Sequence, residues 1–111
     1  MDKTMIDLDA LTDNGKVHNL SGHDRGVAAR VAFELDRHDA ETGEVEIVVP
    51  EHIYAVSPSF VQGLLSGSFQ KFGLDREKFF ARYRLVATDL IKRQFDRGIS
   101  AILTNRDLTT H

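Results

Sequence analysis

The sequence predicts an α/β fold, with helices flanking a mixed sheet of about four or five strands. Three observations predict it. Short alternating or β-branched runs recur at 5–11, 16–20, 45–49 and 83–86. Stretches between the later runs carry apolar residues at three- and four-residue spacing, and residues suited to caps and turns separate the two kinds of segment. At 111 residues the chain suits one domain spanning 1–111, long enough to cover a sheet with helices.

Residues 1–20 read as an N-terminal β-hairpin. Two alternating segments flank Asp13-Asn14-Gly15, whose types suit a tight turn with positive φ, and Ile6, Leu8, Val17 and Leu20 turn toward the core. Ser21 then stands as an N-cap with Asp24 three residues on, so a helix is expected over 22–38. Its stripe of Val27, Val31 and Leu35, with Ala28 and Ala32 beside it, should face the sheet. Phe33 falls nearly opposite that stripe and needs a second surface, which makes it a candidate dimer contact.

Glu41-Thr42-Gly43 breaks the helix, and Val45, Ile47, Val48 and Val49 read as a central strand buried on both faces, ended by Pro50. Residues 53–56 continue extended into Ser57-Pro58-Ser59, a helix entrance with a hydroxyl cap and proline at the first helical position. The helix that follows carries Phe60, Val61, Leu64, Leu65, Phe69 and Phe72 on one side and stops at Gly73. A short helix over 75–82 leads into a strand at 83–86. Thr88 caps a last helix whose Ile91, Phe95, Ile99 and Ile102 share a face, and 106–111 form a frayed polar tail. The order is β-β-α-β-α-α-β-α, with strands separated by helices running parallel.

Seventeen acids against fourteen bases give a net charge of -3 with the bases dispersed, which argues against nucleic acid as a partner. Cysteine is absent, compatible with a reducing, cytoplasmic location, and neither a signal peptide nor a membrane span is expected. His18, His23, His38 and His52 lack the spacing of a recognised zinc motif. Glu51 and His52 near two serines lack a nucleophile elbow, and Gly63 to Gly67 lacks the Lys-Ser/Thr of a phosphate loop. The expectation is a chain that is not an enzyme and has neither cofactor nor metal.

The informative segment is the helix entrance. Ser57 and Ser59 sit where unpaired amides and the helix dipole gather, at the sheet edge where α/β folds bind their ligands. Ser59, Gly63, Ser66 and Gly67 lie close together on a helical wheel, a small-residue strip that lets another backbone approach, whether a helix of the same domain or a partner.

From Leu20 to about Leu103 the chain resembles the STAS-like family of unknown function, relatives of the sulfate-transporter and anti-sigma-factor-antagonist domain. The residues carrying the likeness are 20–30, reading LSGHDRGVAAR, and 47–60, reading IVVPEHIYAVSPSF, with the closing segment from Tyr83 to Leu103. The resemblance implies a non-enzymatic regulatory role in bacterial signalling, with a protein partner such as a histidine-kinase-like protein, and a phosphorylation site at this turn. In the antagonists the turn reads Asp-Ser-Ser-Gly; here it reads Ser57-Pro58-Ser59-Phe60, which leaves Ser59 as the counterpart for modification.

The leading expectation is a protein-interaction module that binds through Ser57, Ser59, Gly63, Ser66 and Gly67, with a homodimer through Phe33. The alternative is a small-ligand or nucleotide-binding domain using the same helix N-terminus. A third reading, contact with a nucleic-acid complex through Lys92, Arg93 and Arg97, is weakened by Asp89 and Asp96.

Overall fold

A computed structural model describes residues 3–13 and 15–109. Its strands are β1 (Lys3–Asp7), β2 (Asn19–Leu20), β3 (Glu44–Val48), β4 (Ala55–Val56) and β5 (Tyr83–Val86). Its α-helices are α1 (His23–Ala32), α2 (Leu35–Ala40), α3 (Pro58–Lys71), α4 (Arg76–Arg82) and α5 (Asp89–Thr109). The α/β class stands.

β3 is central, as expected, in a three-stranded sheet of order β1-β3-β5, while β2 and β4 pair separately. Every described pairing is parallel. The predicted hairpin is therefore replaced: β1 pairs with β3 and β2 with β4. After β1 the chain enters a 3-10 turn, Leu8–Leu11, in which the Asp7 carboxylate accepts from the Asp9 N–H. Thr12, fully buried, closes that turn by donating to the Asp9 carbonyl at 2.7 Å and accepting from the Gly15 N–H at 3.1 Å. The turn chemistry expected of Asp13-Asn14-Gly15 thus ends a 3-10 segment instead of reversing a strand; Asn14 itself lies outside the described residues. Ile6, Leu8 and Leu20 are buried as expected, Val17 only partly.

The sheet is covered on one side. Ile6, Val45, Ile47 and Tyr83 are buried beneath the helices, whereas Met5, Arg84 and Val86 on the other side are exposed. The reading of β3 as buried on both faces is corrected accordingly, since Glu46 and Val48 alternate outward.

α3 lies between α1 and α5. Ser57 has extended backbone angles and its Oγ accepts from the Phe60 N–H at 3.2 Å, with Pro58 at the helix start, so the predicted cap is the cap observed. Phe60, Val61, Leu64, Leu65 and Phe69 are buried. Thr88 caps α5 through the Ile91 N–H, and Ile91, Phe95, Ile99 and Ile102 face the core. α5 continues to Thr109, so 106–109 are helical where a frayed tail was expected; 110–111 lie outside the described residues.

The expected single helix over 22–38 is two. Glu34 takes left-handed angles (φ 55°), and the break turns Leu35, His38 and Asp39 inward. α1 itself is rotated relative to the Val27, Val31, Leu35 stripe: Gly26 and Ala29 are buried, and Val27 and Val31 are 41% and 71% exposed. The physical reason is close approach. A Cβ on Gly26 would lie 2.2 Å from the Phe60 carbonyl oxygen, and one on Gly63 would lie 2.2 Å from that of His23. Small residues let the helix backbones touch, and that contact outweighs burying two valines. Phe33, at the end of α1, is half-buried and packs on the core of its own chain, which supplies the second surface it was expected to need.

Candidate interaction site at the start of α3

The entrance is built from backbone outward. The Ser57 N–H donates to the Leu20 carbonyl at 2.8 Å, tying the end of β4 to the end of β2. Its Oγ accepts from the Gly22 N–H at 3.3 Å as well as from Phe60, and exchanges a hydrogen bond with Ser59 Oγ at 3.0 Å. One hydroxyl thereby fixes the start of α3 against the start of α1. Gly22 makes this possible with φ 96°, a left-handed conformation costly to a residue with a Cβ.

Beside the entrance lies an open cleft of about 430 Å³, lined by Asn19, Ser21, Ser57, Pro58, Gln94 and Arg97 among others. Gln94 is committed, its Oε1 accepting from the Val56 N–H at 2.7 Å. Arg97 is exposed and makes no ion pair or hydrogen bond among the described residues.

The small-residue strip divides. Gly63 is buried under α1, the internal helix crossing that was the alternative to a partner contact. Gly67 faces Arg30, whose guanidinium atoms lie 2.9 Å from where a Cβ would stand. Ser59 and Ser66 remain half-buried. At Gly63 the strip meets the backbone of α1, the Val27 nitrogen lying 2.9 Å from where a Cβ would stand.

His52 faces Asp9, its Nε2 at 3.4 Å from Oδ1, and its carbonyl is 2.8 Å from His18 Nδ1; neither arrangement presents a base to Ser57 or Ser59. No cluster of three or more metal-ligating side chains occurs among the described residues. No described helix is long and apolar enough to cross a membrane.

Sequence reasoning missed a buried polar network behind the strip. Asp39 accepts from Arg30 Nη2 at 2.6 Å, from Ser68 Oγ at 2.8 and 2.9 Å to its two oxygens, and from the Tyr83 hydroxyl. Arg30 also reaches the Leu64 carbonyl at 3.0 Å and Asp36 at 2.7 Å. Burial, followed by the hydrogen bond and negative charge of Asp39, pushes the Tyr83 hydroxyl well above the ordinary tyrosine pKa. Two signals were present in the sequence: a second helix-interior glycine at Gly67, costing about 1 kcal/mol unless something needs its space, and Ser68 between Gly67 and Phe69 on an apolar helix.

Comparison with family models, curated proteins and solved structures returns no match for this chain.

Proposed function

We propose that the chain is a non-enzymatic regulatory protein-interaction module, of the kind implied by its resemblance to STAS-like domains, and that it meets its partner at the start of α3. The observation that carries this reading is the outward exposure of Val27 and Val31, one turn apart on α1, the helix that crosses α3 at Gly63. Neighbouring exposed apolar side chains on one helix suit a protein contact more than a catalytic cleft. Gly63 acts behind the surface by setting the helix spacing and Gly67 by leaving room for the Arg30 guanidinium, so the contact is made by Ser59, Ser66, Val27 and Val31. Ser59 is the regulatory position: a phosphate there would displace its bond to Ser57 and place new charge at the edge of the contact.

Affinity enrichment with the wild-type chain, Val31→Asp and Ser59→Asp tests the proposal. A partner held by the wild type and lost from both variants is the expected result. Equal retention by all three, with folding verified, would place the contact elsewhere.

The second reading, a small anionic ligand or nucleotide, is favoured by one feature, the cleft beside the start of α3 with Arg97, which pairs with nothing among the described residues. A ligand that binds only the folded chain raises its melting temperature. A nucleotide or phosphate that stabilises the wild type and not Arg97→Gln would support this reading over the first.

A further inference from the structure

A second surface lies on the opposite side of α5's first turns, along β5. Beyond β3, no described strand pairs with β5, which is therefore an edge. The ladder fixes which groups the edge presents. The Val49 N–H donates to the Val86 carbonyl, so Val86 points its peptide groups toward β3, and in a parallel ladder the alternate residue Arg84 does the same. Leu85 consequently turns its N–H and C=O away from the sheet, and Tyr83 turns its C=O the same way. Edges of this kind template the addition of another strand unless they are blocked.

This edge opens onto a groove of about 470 Å³ between α4 and α5. Consecutive β5 residues Tyr83, Arg84 and Leu85 all line it, which side chains alternating across a strand cannot do by themselves, so the groove runs along the β5 backbone. Phe80, Leu85, Phe95 and Ile99 supply apolar walls, and Phe80 is 41% exposed. Arg84 and Lys92 stand at the rim, both exposed, and neither makes an ion pair or hydrogen bond among the described residues. The other groove cations are committed, Arg76 to Asp96 at 2.6 Å and Arg82 to the His38 and Gly43 carbonyls. Glu44 is the carboxylate left at the groove, against those two free cations. A local positive excess is notable on a chain of net charge -3.

We propose that β5 and this groove bind an extended acidic peptide segment of a partner protein by strand addition. Backbone pairing to Leu85 and Tyr83 supplies the affinity, alternate apolar side chains of the peptide enter between Phe80 and Phe95, and its carboxylates meet Arg84 and Lys92. This site is independent of the α3 entrance, so either surface stands if the other fails.

The test is selection of a displayed random-decapeptide library on the immobilised full chain, followed by hydrogen exchange of the chain with the enriched peptides. The expected peptides alternate β-branched residues with Asp or Glu and slow exchange of the Leu85 amide. Their affinity falls about tenfold or more in the Arg84→Glu, Lys92→Glu double variant, and is unchanged in Val31→Asp. Peptides without acidic alternation, protection confined to the start of α3, undiminished binding to the double variant, or no enrichment over an empty support would each overturn the proposal. Concentration-dependent self-association that protects Leu85 without peptide would also overturn it, by assigning the edge to a second copy.

Discussion

At the scale of single residues, Asp39 and Asp36 separate two kinds of ion pair. Both meet Arg30 at short distance, but the Asp39 side chain is 3% exposed and that of Asp36 is 89% exposed. Removing a buried partner strands the remaining charge and costs about 3–5 kcal/mol, whereas an exposed pair contributes about 0–1 kcal/mol. Asp39→Ala should therefore lower the urea-unfolding free energy by several kcal/mol and Asp36→Ala by about 1 kcal/mol or less. Tyr83 adds a pH signature. Its hydroxyl holds its proton more tightly in the folded chain than in the unfolded one, so between the two pKa values the native state binds more protons and stability declines as pH rises. The contribution is complete below the unfolded value of about 10 and is lost above it. Urea midpoints measured from about pH 8 to about pH 11 should fall more steeply for the wild type than for Tyr83→Phe, even though that variant starts lower for want of the bond to Asp39.

At the scale of elements, the arrangement of α1, α3 and α5 is set by where side chains are absent. Gly26 and Gly63 meet across one crossing, and a Cβ on Gly98 would fall 2.5 Å from the Val61 Cβ across the other. Gly26→Ala and Gly63→Ala each force a backbone oxygen to move, and should destabilise by about 1–3 kcal/mol or more despite alanine's better helix propensity. Denaturant unfolding checks this. If α1 instead packed through Val27 and Val31, the same substitutions would stabilise. This crossing is also where the sequence was hardest to read. The helical periods around Phe60 and Ile91, and the caps at Ser57 and Thr88, were legible because large apolar residues and hydroxyls act locally. Val27 and Val31 were misread because ranking faces by side-chain size hides a face made of Gly26 and Ala29. The break at Glu34 left no proline or glycine to mark it; it is fixed by tertiary partners, the buried Leu35 and the Asp39 network. The Ser57–Ser59 entrance was legible as geometry, while Arg30, Ser68 and Tyr83 converge on Asp39 from separate elements and share no local pattern.

At the scale of the whole molecule, one cluster of buried residues runs from Ile6 through Leu35, Phe69 and Tyr83 to Ile102, touching the first strand and the last helix alike. The stacked rings of Phe69, Phe79 and Tyr83, with centroids 4.3 and 4.5 Å apart, join α3, α4 and β5 within it. No boundary divides this cluster, so loss of one part removes support from the rest and unfolding should be all-or-none. The same sheet has an uncovered side, where Val86 is 38% exposed while Ile47 on the covered side is 2% exposed. Ile47→Ala should cost about 2–5 kcal/mol, while Val86→Thr should stay within about 0.5 kcal/mol as an exposed substitution does. In the wild type and both variants, urea midpoints from far-ultraviolet circular dichroism and from tyrosine emission should coincide. Separated midpoints would mean that β1 and β3 can part from the α3-α4-β5 unit, and a large loss in Val86→Thr would mean that something covers the open face, as when two copies stack their sheets. Repeating the measurement over a tenfold range of chain concentration distinguishes these, because only an association makes the midpoint rise with concentration.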